Sequence, residues 1–465
     1  MSTDVDIAVI GAGPAGMTAA STAAEAGLSC VLLDEQAEPG GQIYRAIERL
    51  AARGERFAEI LGEDYARGAA IAQRFRQSGA VCQAGVQVFD LDADGVLGLI
   101  ADEGARWIRA RRVIVAAGAQ ERPVPVPGWT LPGVMSLGSA QTLLKSAAMV
   151  SDVPTVIAGS GPLLYLAATQ LIEAGARIEA VLDTMPRERY LAAAAGLPRA
   201  LMAGGELRKG LAWKRRLKNS GVRYLSNADA IAIAGEGRVT GLRARVGHRD
   251  MDFACSLVLL HEGVVPNVQL AMVAGARHDH DGLQACWRPV LDPFGRTTVA
   301  NILVAGDAGG IGGAELAAAE GELAACAAAY DLGCIGEREF ERRTRVPQAL
   351  VRRKKPLRRF LDTLFRPRDE VLVPPGDDTI VCRCEEVTAG ELRRIAALGC
   401  TGPNQSKAFS RAGMGPCQGR MCALTISHLL AAAHDRDPAH TGHLRLRPPV
   451  KPVTVGQMAG APDDA

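Results

Sequence analysis

Four cysteines near the end of the chain stand in two close pairs. Cys382 and Cys384 form a CxC motif after a short predicted strand, and Cys417 and Cys422 form a CxxxxC motif around a glycine-rich turn. One predicted helical hairpin separates the pairs, so four thiolates can meet at one site. Zinc accepts four thiolates and iron–sulfur clusters require them. Neither pair has the CxxC spacing usual for zinc. Because the chain also contains a flavin-type domain, described below, the pattern favours a 2Fe-2S cluster over zinc or free thiols.

A further cysteine, Cys400, lies midway along the same hairpin. It is an alternative ligand, but its position is more typical of a buried thiol.

A glycine-rich turn near the start of the chain has the spacing of a dinucleotide fingerprint. It follows an apolar strand that ends at Ile10, precedes a small-residue helix, and is followed by a second strand that ends in Asp34. Glycines permit the tight turn, the approach of a pyrophosphate and close helix packing, and the acid is placed to bind a ribose hydroxyl. The alternative is a turn without a ligand. The turn residues expected at the cofactor are Gly11, Gly13, Pro14, Ala15 and Gly16.

Further residues of the first unit are expected to face the same cofactor. They follow the ends of predicted strands, where a doubly wound sheet receives its ligand. The alternatives are an ordinary surface turn for the glycine pair at 40–41 and a helix N-cap for the aspartate of the AGDAGG motif. These residues are Glu35, Gly41, Gln42, Gly118, Gly306 and Asp307.

A second strand–turn–helix unit begins at Thr155 and repeats the fingerprint with changes. Leu164 stands where the third glycine would be, and the terminal acid comes one residue later than in the first unit. We expect this site to bind an adenine nucleotide (ADP, ATP or NAD) in altered geometry, the alternative being a unit that has lost its ligand. The residues expected to contact the nucleotide are Gly159, Gly161, Pro162, Leu163 and Asp183.

Catalytic side chains are less evident than binding motifs. His261 follows a buried strand, but a single histidine in that position is more often packed or hydrogen-bonded than catalytic. The cysteines at 30, 82, 255 and 286 form no CxxC pair. Thiol–disulfide chemistry is therefore not expected.

The elements that position these motifs predict an α/β fold with two Rossmann-like dinucleotide-binding domains and a small, mainly helical C-terminal 2Fe-2S domain. The first domain is discontinuous, since a late strand and an alanine-rich helix return to it. The predicted ranges are 1–120 with 295–335 for the first domain, 121–294 for the second, 336–375 for a basic linker, 376–440 for the cysteine domain and 441–465 for a tail.

Composition limits the class of partner and the compartment. The 465 residues have a formal net charge of +2, which predicts no general attraction to nucleic acid. No run approaches the length of a membrane span, and Met1 to Val5 lack the features of a signal peptide. We therefore expect a cytoplasmic protein whose 11 cysteines are thiols or metal ligands rather than disulfides.

One segment departs from this balance of charge. Between Arg342 and Leu361 there are nine basic residues and no acidic one. Apolar residues from Leu357 to Phe365 share one face of the predicted helix. Such a helix docks on a partner subunit or at the inner face of a membrane, or packs against its own domains.

With these motifs in view, nearly the whole chain resembles the FAD-binding larger subunits of bacterial multi-subunit amino-acid dehydrogenases. This group includes the larger subunits of opine oxidase and of hydrogen cyanide synthase and the alpha subunits of proline and hydroxyproline dehydrogenases. The motifs that carry the resemblance are IGAGPAG, GGQIYR, AAGAQERPVPVPG, AGSGPLL, HEGVVPN, AGDAGGIGGA, CRCEE and GMGPCQGRMC. The last two resemble a bacterioferritin-associated-ferredoxin-like 2Fe-2S domain, although CxxxxC departs from the CxxC of that ferredoxin.

The resemblance implies FAD in the first domain and a role in moving electrons. A partner flavoprotein of the glycine or D-amino-acid oxidase type, with a further small subunit in some complexes, would oxidise a C–N bond. Electrons would leave through the 2Fe-2S cluster and FAD to a quinone or dye. Two other hypotheses stay open: a self-sufficient NAD(P)H-dependent ferredoxin- or nitrite-type reductase, and a scaffold whose nucleotide only stabilises assembly.

Overall fold

The computed structural model describes residues 4–201 and 204–460 and has the predicted α/β architecture. The strands are β1 (Asp4–Ile10), β2 (Cys30–Asp34), β3 (Val81–Ala84), β4 (Gln87–Leu91), β5 (Val96–Ala101), β6 (Gly104–Val115), β7 (Ala119–Glu121), β8 (Val134–Ser136), β9 (Thr155–Ser160), β10 (Ile178–Asp183), β11 (Arg223–Ser226), β12 (Ala228–Ala234), β13 (Gly241–Val246), β14 (Arg249–Ala254), β15 (Leu257–Glu262), β16 (Val264–Pro266), β17 (His278–Asp281), β18 (Cys286–Pro289), β19 (Ile302–Val304), β20 (Ile380–Cys382) and β21 (Val387–Thr388).

The helices connect these strands and cover the sheets. They are α1 (Pro14–Glu25), α2 (Glu55–Leu61), α3 (Glu63–Ala66), α4 (Gly68–Gln77), α5 (Leu137–Ala147), α6 (Pro162–Glu173), α7 (Glu188–Ala194), α8 (Leu197–Ala200), α9 (Gly204–Lys218), α10 (Gln269–Val273), α11 (Ala314–Asp331), α12 (Glu337–Leu364), α13 (Asp369–Leu372), α14 (Ala389–Ala397), α15 (Pro403–Ser410), α16 (Ala423–Ala433), α17 (Pro438–Thr441) and α18 (Val455–Ala459).

Two parallel sheets form the centres of the two nucleotide-binding units. The first has the parallel order β3-β2-β1-β6, and β19 pairs parallel with the end of β6. At the start of β6, strands β5 and β4 extend the sheet in antiparallel order. The second runs β11-β10-β9-β15-β8, all parallel. Parallel strands align their carboxyl ends, so each glycine turn opens at one edge of its own sheet.

Small residues allow the helices of the first unit to pack closely. A Cβ on Gly321 of α11 would lie 2.1 Å from the carbonyl oxygen of Ala15 in α1. Both helices are rich in alanine, and their contacting side chains are buried. The backbones therefore approach closely, as the alanine-rich sequence predicts.

The chain returns to the first unit earlier than the expected boundary at residue 294. Leu270 and Ala271 of α10 are buried in the same core as Ala8 and Val31 of the first sheet. The crossing is made by β7 and β16, which pair as an antiparallel ribbon between the units. The sequence did not reveal this boundary because α10 has only five residues.

The expected tail packs against the first unit. Val450 is buried in the core of the first sheet and its amide donates to the carbonyl of Phe89 at 2.8 Å. Met458 of α18 packs in a cluster with Phe89 and Trp107. This segment therefore joins the cysteine domain to the flavoprotein body; residues 461–465 lie outside the described part.

The basic segment forms α12, and its apolar face is covered by the chain itself. Leu364 and Phe360 pack against Met185 and Ala193 of the second unit. Of the alternatives open for this helix, packing against its own domains accounts for the apolar face. No helix in the described residues is long and apolar enough to cross a membrane.

Candidate functional site

The first glycine turn leaves space at one position and is tightly packed at the others. A Cβ on Gly16 would lie 1.7 Å from the carbonyl oxygen of Gly11, and one on Gly11 would lie 2.5 Å from that of Ala116. A Cβ on Gly13 would meet nothing nearer than Gly41, at 3.8 Å. The turn is therefore fixed by its first and third glycines, while the second faces open space where a pyrophosphate can approach.

Asp34, the last residue of β2, lies beside this turn. Asp34 accepts hydrogen bonds from the amides of Ala12 at 2.5 Å and Gln36 at 2.7 Å, and burial raises its pKa. The neighbouring Glu35 is exposed and contacts the ammonium of Lys451 from the C-terminal segment. The structure thus brings Asp34 to the fingerprint turn and directs Glu35 to the surface.

The loop at Gly40–Gln42 closes over the first turn. The amide of Gly40 donates to the carbonyl of Ala12 at 2.8 Å, and Gly41 contacts Gly13. The carbonyl of Gln42 accepts from Lys145 of α5 at 3.2 Å. This loop therefore lies at the predicted cofactor site and is tied to the second unit.

The remaining predicted residues of the first unit lie at the neighbouring strand ends. Gly118 follows β6 with φ +66°, and a Cβ there would meet no atom within 4 Å. Gly306 contacts Ala15 of α1. Asp307 accepts hydrogen bonds from the amides of Gly312 and Gly313, just before α11. Gly313 is the N-cap residue of α11, so Asp307 is not its N-cap, and a role of Asp307 with the cofactor stays a prediction.

The second turn differs from the first. Gly159 and Gly161 have φ of +151° and +111°, and Pro162 opens α6. Leu163 packs partly buried against the shared core, and Leu164 is fully buried in it. The second glycine of this turn thus has a positive φ where its counterpart in the first turn has φ −75°, and the helix packs without a third glycine.

The acid of the second unit, Asp183, is bonded to protein side chains. The buried carboxylate of Asp183 accepts from the phenol of Tyr165 at 2.8 Å and from that of Tyr224, and it lies 3.4 Å from the ammonium of Lys214. Burial, with the nearby Asp183 charge, raises the pKa of both phenols far above the usual range. The expectation that Asp183 contacts a nucleotide gains no support from this placement.

His261 and Glu262, of which sequence reasoning missed the second, lie at the second turn. His261 is 2% exposed, and its Nδ1 lies 2.6 Å from Oε1 of Glu121. Glu262 is buried, its pKa is raised by burial, and it accepts from the hydroxyls of Thr184 at 2.6 Å and Ser160 at 3.4 Å. The hydrogen-bonded interpretation of His261 agrees with this geometry.

Lys145 was also missed. It is 5% exposed, donates to the carbonyl of Gln42 and to the side chain of Gln141, and has no carboxylate partner among the described residues. Burial lowers its pKa to about 7, with a smaller effect of Arg45. An apolar-flanked lysine in a helix gives no sequence signal for this burial.

The four predicted cysteine ligands meet in the C-terminal domain. The thiol of Cys422 neighbours the sulfurs of Cys382 and Cys417, and the thiol of Cys384 neighbours Cys417. Interaction with the Cys422 thiol is the main cause that lowers the pKa of Cys382 to about 6 and that of Cys417 to about 5. The amide of Gly413 also faces Cys382 at 3.5 Å. The thiol of Cys400 instead donates to the carbonyl oxygen of Gly402.

Within residues 4–201 and 204–460, no three His, Cys, Asp or Glu side chains are arranged so that they could hold a metal ion. The four cysteines neighbour one another, and four thiolates are the donor set that a 2Fe-2S cluster requires. The cluster itself stays a prediction.

The two sheets and their glycine turns define a nucleotide-binding flavoprotein oxidoreductase. The family model described as pyridine nucleotide-disulphide oxidoreductase matches residues 5–321, and that of the sarcosine oxidase A3 domain matches 377–461. The chain belongs to the pyridine nucleotide-disulphide oxidoreductase family, in the group that contains the A subunits of opine oxidases.

Relatives match along the whole chain. The A subunit of opine oxidase from Agrobacterium tumefaciens (strain Ach5) is 42% identical over 99% of this chain and 92% of its own length. The hydrogen cyanide synthase subunit HcnB of Pseudomonas aeruginosa is 31% identical over 96% of both. The crystal structure of L-proline dehydrogenase from P. horikoshii has a TM-score of 0.71 at 18% identity and covers 98% of this chain and 80% of that one, which shows the shared fold.

Proposed function

We propose that the chain is the electron-transfer subunit of a heteromeric amine or imino-acid dehydrogenase of the opine, proline or glycine type. The first unit holds FAD, and the four cysteines hold a 2Fe-2S cluster. A partner flavoprotein of the oxidase type removes electrons from a CH–NH or CH–NH2 donor. This chain passes them to an external acceptor such as a quinone or a dye.

One contact carries most of the argument. The side chain of Gln120 donates to the carbonyl of Arg420 at 2.9 Å. Gln120 comes two residues after Gly118 of the proposed FAD site, and Arg420 lies between Cys417 and Cys422. A hydrogen bond thus joins the segment after the flavin site to the cysteine turn, an arrangement suited to moving electrons between the two.

A second contact anchors the cysteine domain on the flavoprotein body. The indole of Trp129 donates to the carbonyl of Ile380, at the start of β20, at 2.7 Å. Cys382 ends the same strand. A cysteine domain held in place on both sides keeps a constant distance to the flavin, which electron transfer requires.

The polar contacts of the four sulfurs suit a cluster that carries negative charge. Backbone amides face Cys382 and Cys417, and hydrogen bonds to sulfur are one of the means by which proteins set cluster potentials. When bound, the cluster supplies one-electron transfer. The protein supplies the thiolates, the amides and the burial around them.

The second unit holds an adenine nucleotide in this proposal and takes no part in electron transfer. No pair of cysteines among the described residues lies at its turn, and Leu164 alters the fingerprint. Under anaerobic conditions, NADH or NADPH should leave the FAD oxidised. Rapid bleaching of the flavin would instead favour an NAD(P)H-dependent ferredoxin- or nitrite-type reductase.

The decisive experiment uses the chain alone and copurified with an oxidase-like gene product encoded beside it. A panel of opines, proline, hydroxyproline and glycine is tested with a dye acceptor. We expect turnover only by the complex, and two irons per chain without stoichiometric zinc. Oxidation of an amine by the chain alone at the rate of the complex would disprove the division of labour.

Cysteine variants separate the cluster from the fold. Cys382→Ser or Cys417→Ser should remove the visible absorbance and EPR signal of the cluster and stop electron transfer, while substrate still reduces the partner flavin. Cys400→Ser is the matched control, because that thiol is buried in the same domain but does not contact the four sulfurs. One zinc and no iron in the purified chain would contradict the assignment.

A further inference from the structure

A histidine that the function proposed above does not use lies beside the second glycine turn. We propose that His261 is a positioning residue that donates from Nε2 to a phosphate of the adenine nucleotide, so that nucleotide binding at this site strengthens as the pH falls. The inference rests on the adenine nucleotide of the proposed function, and the experiment below distinguishes the two.

The backbone places His261 directly beside the turn. In the parallel pairing of β15 with β9, His261 lies opposite Gly159. A Cβ on Gly159 would lie 1.8 Å from the carbonyl oxygen of His261, so only glycine allows the strands this close. The histidine is therefore held at the mouth of the turn by the sheet itself.

The imidazole is directed to the position that a phosphate would approach. Its Nε2 lies 3.8 Å from the position of a Cβ on Gly161. The second glycine of this motif is the one that admits a pyrophosphate. Among the described residues, Nε2 has no hydrogen-bond partner, although the residue is only 2% exposed.

The opposite side of the ring is fixed by a carboxylate. Nδ1 lies 2.6 Å from Oε1 of Glu121, and the other oxygen of Glu121 accepts from the amide of Gly138 at 2.9 Å. Because a carboxylate accepts, Nδ1 carries the donated proton. The next proton taken up must then bind Nε2, which becomes a charged donor toward the turn.

The charges around the ring agree with an anionic ligand. Glu121 faces it from β7, and Glu262 follows it on β15 but turns to Ser160 and Thr184. Burial raises the pKa of Glu262, while His261 and Arg368 act in the opposite direction. The first turns of α5 and α6 contain no acidic residue. Arg368 donates to the carbonyl of Thr184 at 2.6 Å from the covering segment.

The test measures binding of ADP, ATP and NAD⁺ to the full-length chain saturated with FAD, by calorimetry at about pH 6 and about pH 8. The tightest nucleotide is then used with each variant. Affinities of wild type and variant are compared at the same pH, which cancels the ionisation of the ligand. Adenosine, which has no phosphate, serves as the ligand control.

His261→Gln should weaken nucleotide binding roughly tenfold or more at the lower pH and by much less at the higher pH, because a charge-assisted hydrogen bond is lost. Adenosine binding should be unchanged. Glu121→Gln should reduce the pH dependence, since the ring loses its charged partner. His248→Gln replaces an exposed histidine and should behave as wild type. Unchanged FAD content shows that each variant is folded.

The outcomes are distinct. Equal pH dependence in wild type and His261→Gln overturns the inference and leaves the nucleotide site intact. Absence of nucleotide binding by the wild type at both pH values shows that the second unit holds no adenine nucleotide, and that part of the proposed function fails together with the role of His261.

Discussion

The two glycine turns of this molecule begin alike and differ in what surrounds them. At the first turn the second glycine, Gly13, faces open space, and the acid Asp34 lies against the turn. At the second turn a histidine faces Gly161, and the acid Asp183 is held by two phenols and a lysine. The same fingerprint is therefore surrounded by different side chains in the two units.

This difference shows what each element of the fingerprint contributes. The first two glycines set the turn in both units. The third permits close packing of the helix in the first unit, whereas Leu164 fills a core position in the second. The acid binds whichever donors the fold presents, so its position after a strand does not by itself make it a ligand.

The largest expected effect is at Gly13. Gly13→Val should leave the fold intact and empty the FAD site, because the glycine has extended backbone angles that valine adopts and its Cβ would meet no protein atom nearer than 3.8 Å. The measurements are flavin absorbance for FAD content and circular dichroism for folding.

Gly210→Val is the control for Gly13→Val. A Cβ at Gly210 meets nothing within 4 Å, and the residue is far along the sequence from both turns. A Gly13→Val protein with full flavin content would contradict the placement of the pyrophosphate at this turn.

The next effect is at the residue that replaces the third glycine. Leu164→Ala should lower the free energy of unfolding by about 3 kcal/mol through the cavity left in the core, without loss of FAD. Urea titration gives the stability. Leu211→Ala, at an exposed position of α9, should change it by less than about 0.5 kcal/mol. Equal stabilities of the two variants would show that Leu164 does not support the second unit.

Substitutions of the acids Asp183 and Asp34 should have opposite effects on stability and on FAD binding. Asp183→Asn should destabilise the chain by about 2 kcal/mol, since Lys214 and the two phenols lose a charged acceptor, and should leave FAD binding unchanged. Asp34→Asn should have the reverse pattern, with FAD affinity reduced roughly tenfold and stability little changed. Thermal unfolding and FAD titration of both variants give the comparison. The same pattern in both would remove the distinction between the acids.

A pH-dependent effect concerns the seam between the units, where Lys145 of α5 meets the loop of the first turn. Burial lowers the pKa of Lys145 to about 7, whereas a lysine in the unfolded chain has a pKa of about 10.4. In the pH range between the two pKa values, the unfolded chain binds more protons at this group than the folded chain does. The free energy of unfolding therefore rises with pH across this range. Lys145→Met should remove that rise, measured by urea unfolding from about pH 7 to about pH 10.

The exposed Lys218 of the second unit is the control for this slope. Lys218→Met should keep the wild-type rise, because its ammonium stays in water. If Lys145→Met kept the wild-type dependence of unfolding free energy on pH, another group would be responsible for that dependence.

Features that depend on local geometry could be predicted from the order of residues alone. Gly11 and Gly16 are required by backbone atoms a few residues away or in the adjoining strand, and the strand–turn–helix pattern predicts that arrangement. The spacing of Cys382, Cys384, Cys417 and Cys422 predicted that the four sulfurs would meet. Short-range sterics and a single helical hairpin are enough for such predictions.

The partners of the other polar side chains depend on the folded chain. Glu121 and His261 are 140 residues apart, and Gln42 and Lys145 are 103 apart, so no local pattern joins them. The apolar face of α12 and the segment at Val450 likewise depend on surfaces formed by distant elements. Burial and charge pairing arise from contacts that exist only once the chain has folded, and these contacts make the surroundings of the two turns different.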